Sequence, residues 1–154
     1  MKKAILTMGL PGSGKSTMMA QEYDLSEYAL IDPDEIKKEQ ADYSDERPEV
    51  YHEWSKAEAK VRISQAIRDG KNIIIDGTGT NAEKMVRQIN ELHGAGYHVE
   101  IFYVKVSVAT CLKRNKERPR SVPESIIYEK AGLISTSLEI VSGYADSVKT
   151  IRND

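Results

Sequence analysis

The chain has 154 residues, 40% of them hydrophobic and 30% charged, with a formal net charge of −2. That length suits one domain with an ordinary core, and the charge gives no global basic field for nucleic acid. No apolar run approaches the ~20 residues that cross a bilayer, so no membrane association is expected. Met1-Lys2-Lys3 leads straight into the first strand, so no signal peptide is expected. The single cysteine, Cys111, excludes an intrachain disulfide and points to a reducing cytoplasm. His52, His93 and His98 have no metal-ligand spacing with one another or with Cys111.

Ala4 to Met8 is a short apolar run that predicts a buried strand, and Ser16 to Glu22 predicts a helix. Between them lies Gly9-Leu10-Pro11-Gly12-Ser13-Gly14-Lys15-Ser16-Thr17, which fits G-x-x-x-x-G-K-[ST]. A strand, a glycine-rich turn and a helix start direct several backbone N–H groups and a positive dipole end at one point. A polyphosphate fits there, which makes Gly9, Pro11, Gly12, Ser13, Gly14, Lys15, Ser16 and Thr17 the expected ATP contacts. Lys15 suits the β- and γ-phosphates and Ser16 suits Mg²⁺.

Tyr28 to Ile31 predicts a second strand, ending at Asp32-Pro33-Asp34-Glu35. Asp32 is the expected N-cap, Pro33 takes the first helical position, and Glu35 completes a capping-box spacing. Gln40 to Arg47 reads as a loop and Pro48 to Asp69 as a long helix ended by Gly70. Its apolar positions include Val50, Trp54, Ala57, Val61 and Ile67, with Trp54 expected to anchor the core. Asn72 to Ile75 is the clearest strand and runs into Asp76-Gly77-Thr78-Gly79-Thr80-Asn81. Asn81 suits the cap of a helix from Ala82 to His93, which Gly94-Ala95-Gly96 ends. His98 to Val106 predicts a fourth strand. Ser107 can cap a helix reaching about Glu117, and Ser121-Val122-Pro123-Glu124 has capping-box spacing for a helix to about Ile140. Ser147 to Ile151 suits a fifth strand. With no repeat or linker, the alternation predicts one α/β domain with a parallel sheet covered on both faces.

Charge is segregated along the chain. From Asp32 to Glu58 ten acids face four bases, and from Lys105 to Arg120 six bases face one acid, Glu117. Ligands of open parallel sheets bind beyond the carboxyl ends of the strands, where the glycine-rich loop, Asp34, Asp76 and the arginines can converge. Spacing leaves two readings of Asp34 open: a base for an acceptor hydroxyl, or an acid favoured in a first helical turn. Asp76 suits Mg²⁺ or the acceptor. Arg114, Arg118 and Arg120 suit a lid over the moving phosphoryl group, at about 114–124. Tyr128 and Tyr144 could flank a purine, though their spacing suits packing equally.

These residues carry a resemblance. The opening from Met1 to Thr17 and the run Arg114-Asn115-Lys116-Glu117-Arg118 before Val122-Pro123 resemble P-loop kinases of the polynucleotide 5′-hydroxyl kinase and zeta-toxin group. The resemblance implies a nucleoside-kinase-like three-layer sandwich with a helical lid. It also implies Asp34 as general base, Lys15 and Ser16 at the phosphates and metal, and Arg118 as the lid arginine. Lys37 stands where the polynucleotide kinase pattern has an arginine on the acceptor phosphate, and lysine lacks the planar fork. Asp76-Gly77-Thr78-Gly79-Thr80-Asn81 and His52-Glu53-Trp54-Ser55 are closer to the zeta-toxin pattern. In that pattern a carboxylate near Asp76 helps hold a nucleotide sugar. The expected substrate contacts are therefore Asp34, Lys37, Asp76, Thr78 and Arg120.

The expectation is ATP- and Mg²⁺-dependent phosphoryl transfer to a nucleic-acid or nucleotide hydroxyl, most simply a 5′-hydroxyl. A kinase of UDP-N-acetylglucosamine is the second reading. An ATP-binding switch without transfer is the third.

Overall fold

The computed structural model describes residues 2–40, 43, 50–119 and 121–154. The chain runs through β1 (Lys2–Met8), α1 (Lys15–Glu22), a 3₁₀ turn at Leu25–Glu27, β2 (Tyr28–Ile31), α2 (Pro33–Lys37) and α3 (His52–Arg68). It continues through β3 (Asn72–Ile75), α4 (Ala82–Gly94), β4 (Tyr97–Lys105), α5 (Val108–Glu117), α6 (Glu124–Ser142) and β5 (Ser147–Arg152). The five strands form one sheet in the order β2-β3-β1-β4-β5, and every described pairing is parallel.

Burial explains the order. β1 lies at the centre, with Ala4, Ile5, Leu6 and Met8 withdrawn from water on both faces. Because side chains alternate across a strand, Ala4, Leu6 and Met8 join one core cluster with Ile63, Met85 and Ile89 of the helices α3 and α4. Ile5 joins the other, with Met19 of α1 and Cys111 of α5. Parallel pairing requires long crossovers, and the helices supply them while covering both faces. The crossovers also put the carboxyl end of every strand on one edge. There β1, β2 and β3 finish side by side, with Ile31 paired to Ile75 and Leu6 to Ile75 in register.

β2 and β3 have the bounds their sequence predicts, and three predicted caps form. The side chains of Asp32, Asn81 and Ser107 accept hydrogen bonds from the backbone N–H groups of Asp34, Lys84 and Thr110. Two expectations are corrected. Trp54 does not anchor the core: it is 38% exposed, and Val61 on the same stripe is exposed too. α3 instead buries Ser55, Ala59, Ile63 and Ala66, and three of these are small enough to let it lie close on the sheet. The capping box at Ser121 does not form, because Pro123 takes the N-cap of α6 with no side-chain bond. The 3₁₀ turn was not foreseen in the sequence.

Candidate active site

Residues 9–14 turn from the end of the central strand into α1. Gly12 and Gly14 have φ values of 84° and 77°, where a Cβ is strained. Space imposes the same demand at Gly14, since a Cβ there would lie 2.5 Å from Asn153 Nδ2. These conformations swing amides to one side of the loop and carbonyls to the other. A concave row of N–H groups for an anion thus leaves carbonyls behind it that need donors. Arg114 Nη1 donates to Gly12 O at 3.1 Å, and Asn153 Nδ2 donates to Ser13 O at 2.8 Å. Arg114 Nη2 also donates to Asn153 O at 2.6 Å, so the two side chains brace each other. Asn153 is itself held in the sheet, its N–H donating to Lys105 O at 3.0 Å.

The opposite wall of the loop is the segment after β3. Gly9 N–H donates to Thr78 O at 3.0 Å. Gly79, at φ 85°, packs so tightly on Met8 that a Cβ would come within 2.5 Å of that side chain. Thr7, 2% exposed, sits where β1 meets this segment. Its hydroxyl donates to Asp76 Oδ1 at 2.6 Å and accepts from Gly77 N at 3.0 Å. Lys15 Nζ donates to Gly77 O at 2.7 Å and lies 3.1 Å from Asp76 Oδ1. The lysine expected at the phosphates is therefore held at the mouth of the loop by the carboxylate expected beside them.

Asp32 follows β2 as Asp76 follows β3, on paired strands. Burial, together with the Asp76 carboxylate, pushes the Asp32 carboxyl up to about 6. Asp34 points outward with 83% of its side chain exposed, and its Oδ1 lies 3.6 Å from Lys37 Nζ. Lys37 is buried at 6% exposure, an unusual place for a lysine.

Arg118 caps α5 and is exposed, without an ion pair or side-chain hydrogen bond among the described residues. The stem of its loop is clipped by Asn115, 3% exposed. Asn115 Nδ2 donates to Val122 O at 2.7 Å, and Asn115 Oδ1 accepts from Val122 N at 2.9 Å. Arg120 lies outside the described residues. Ser16 and Thr17 are exposed on the first turn of α1. The backbone of Thr78 is taken by the glycine-rich loop. Arg114 likewise braces that loop from behind, a use its sequence spacing did not reveal. Thr7, Asn115 and Asn153 were missed altogether. Thr7 reads as one more strand residue, and Asn153 lies 140 positions from Ser13, so folding alone brings them together.

Residues 5–130 match the AAA domain family. The chain belongs to the AAA domain family. Solved structures agree on the fold. A chain from the PezAT chromosomal toxin–antitoxin system of Streptococcus pneumoniae superposes with a TM-score of 0.76 at 16% identity, covering 99% of this chain and 69% of that one. The AvrRxo1-ORF1:AvrRxo1-ORF2 complex with sulphate ions gives 0.77 at 13%, covering 98% and 54%. The Pnkp1/Rnl/Hen1 RNA repair complex gives 0.66 at 18%, covering 90% and 45%. This AAA domain thus spans between about half and about two thirds of the length of these neighbours, and at such identities the likeness concerns the fold alone. No curated protein sequence matches it. Among the described residues no helix is long and apolar enough to cross a membrane.

The residues present suit Mg²⁺. A magnesium ion at a nucleotide takes few protein ligands and prefers hard oxygens. The Ser16 hydroxyl stands on the first turn of α1, and the Asp76 carboxylate, whose Oδ1 is taken by Lys15, lies beside the Asp32 carboxyl; both are hard oxygen donors. Ser16 and Asp76 would hold the ion.

Proposed function

We propose that this AAA domain is a kinase that moves the γ-phosphoryl group of ATP to a hydroxyl. The observation that supports it best is the joining of a braced amide nest to two differently placed carboxylates at one sheet edge. Asp76 is buried against Lys15, whereas Asp34 is open to an incoming substrate. The nest and Lys15 bind and orient the phosphates, with Lys15 exchanging Gly77 O for phosphate oxygen. Asp34 accepts the proton of the acceptor hydroxyl. The acceptor oxygen bonds to the γ-phosphorus as the bond from that phosphorus to the β–γ bridging oxygen breaks, releasing ADP. Arg118, free on its loop, closes over the developing charge. Mg²⁺, held by Ser16 and Asp76, would neutralise phosphate charge.

The first acceptor is a 5′-hydroxyl of a polynucleotide or nucleotide, on the strength of the opening stretch and the arginine loop. The second is UDP-N-acetylglucosamine, favoured by the Asp76–Thr78 segment docked on the glycine-rich loop. Labelled ATP with Mg²⁺ and each acceptor in parallel separates them. Asp34→Asn should lower transfer at least about 10³-fold while sparing ATP binding. Unchanged transfer in Asp34→Asn would remove Asp34 as the base, and no labelling of any hydroxyl acceptor would leave an ATP-binding switch as the better reading.

A further inference from the structure

α5 turns Cys111 and Asn115 inward, one helical turn apart, and leaves them 0% and 3% exposed. Cys111 joins the core cluster of Ile5, Phe102 and Ile127, and Val122 packs against the same cluster. An apolar side chain is the ordinary occupant of such a place. A buried amide is costly there unless both its donor and its acceptor are used. In Asn115 both are used, and by one residue. Nδ2 donates to Val122 O at 2.7 Å and Oδ1 accepts from Val122 N at 2.9 Å. The side chain thereby takes the place of a peptide group in a ladder and closes the chain from Asn115 to Val122 into a ring.

Arg118 lies within that ring. Its backbone is extended, with φ −82° and ψ 143°, and its N–H donates to Asn115 O at 3.3 Å. Beyond the ring, Ile126 N–H donates to Pro123 O at 3.0 Å as α6 begins. The main chain is thus held on both sides of Arg118, while the guanidinium itself stays exposed. The residue next to Asn115 holds the other partner of the site. Arg114 bonds Gly12 O, and α5 presses so closely on the nest that a Cβ on Gly12 would lie 3.3 Å from Cys111 O and 3.6 Å from Arg114 Cβ. One turn of α5 therefore fastens the nest through Arg114 and the arginine ring through Asn115. A helix is stiff over so short a span, so nest and ring share one frame.

We propose that Asn115 is a positioning residue for Arg118. By stapling Val122 it keeps the ring in register with the nest. The guanidinium then meets the γ-phosphoryl group without a loop having to be ordered first, which would otherwise draw on the binding energy. This rests on the kinase reading and deepens it, because it names what aims the arginine.

The test compares wild type, Asn115→Ala, Asn115→Asp, Arg118→Ala and Asn115→Ala/Arg118→Ala, at a temperature where melting curves show each to be folded. Asn115→Asp keeps the shape and the acceptor for Val122 N–H but loses the donor to Val122 O, and it carries the same comparison should the alanine variant not fold. One readout is transfer from ATP to a labelled hydroxyl acceptor. The other is calorimetric affinity for ADP with Mg²⁺, with and without fluoroaluminate, a mimic of the moving phosphoryl group. Asn115→Ala should lower kcat and the affinity gained from fluoroaluminate about ten-fold or more, leaving the KM for ATP and the affinity for ADP alone within about two-fold. Asn115→Asp should act in the same direction. In the Arg118→Ala background, removal of Asn115 should cost less than about two-fold further, because it acts through that arginine. Losses that multiply in the double variant overturn the proposal. So do wild-type kinetics in Asn115→Ala, and so does an equal fall in affinity with and without fluoroaluminate, which a merely structural staple would give. If no hydroxyl acceptor is labelled while the fluoroaluminate affinity still depends on Asn115 through Arg118, the positioning role stands and the kinase reading falls.

Discussion

The two ends of the sheet treat charge in opposite ways. At the amino end, polar groups are matched. Tyr23 donates to Glu100 at 2.5 Å, Ser147 donates to the other Glu100 oxygen at 3.1 Å, and Lys3 lies 3.4 Å from the same carboxylate. Lys149 pairs with Glu22 at 2.7 Å while lying over the Tyr23 ring. Asp146 accepts from Val99 N at 2.8 Å and contacts His93 at 2.7 Å. At the carboxyl end like charges also come together: Asp76, although paired with Lys15, lies close enough to Asp32 to help raise its carboxyl to about 6. A buried Ser13 hydroxyl there lacks a partner among the described residues. The amino end is matched throughout these contacts, whereas the carboxyl end combines matched groups with a crowded carboxylate pair and an unpartnered hydroxyl, as a binding edge would.

The largest effect that would sharpen this contrast is expected from Gly14→Ala. The new methyl meets both a positive φ and the Asn153 amide, so Ser13 O loses its donor. ATP affinity should fall at least about thirty-fold, equivalent to about 2 kcal/mol, by calorimetry. Unaltered affinity would mean that the loop reshapes freely and that its bracing is incidental.

Thr7→Val comes next. It preserves shape but removes the hydroxyl that holds Asp76 and Gly77. Leaving these groups without that partner costs about 1–3 kcal/mol. We expect kcat to drop about ten-fold or more, with a smaller change in ATP Kd, and Thr7→Ser to recover most of it. An equal fall in melting temperature for the Val and Ser variants, without the kinetic split, would make Thr7 merely structural.

The smallest effect belongs to the amino end. The Val99 N–H and then His93 hold the Asp146 carboxyl below its ordinary value of 3.8. A depressed folded value gives stability that is present above 3.8 and disappears as pH falls through the lower folded value. Asp146→Asn should therefore destabilise by less than about 1 kcal/mol near neutrality, because the group is part-exposed, and by progressively less in acid. Phosphoryl transfer should not change. Urea melts at several pH values beside a rate assay check both halves, and a lost rate would breach the division between the ends.

The sequence was most legible where one local rule acts alone. Tyr28–Ile31 and Asn72–Ile75 are short apolar strands bounded by turn residues, and their bounds agree with the structure. Asp32, Asn81 and Ser107 cap as expected because a cap needs only its own backbone. Reading failed where a partner distant in sequence decides. Trp54 has helical spacing, yet α3 rests on Ser55 and Ala59, since small residues allow the closer approach. At Ser121, the geometry of the loop clipped by Asn115 places Pro123 at the cap instead.

By itself, then, the sequence determined the glycine-rich loop, the strand–helix alternation and the identities of the charges at the sheet edge. Those follow from backbone conformations and periodicities that neighbouring residues impose on one another. Only the tertiary structure decided which groups meet: Lys15 with Asp76, and Arg114 and Asn153 with the loop carbonyls. Pairing of parallel strands and packing of crossover helices brings together residues that are far apart along the chain, and no local pattern records those distances.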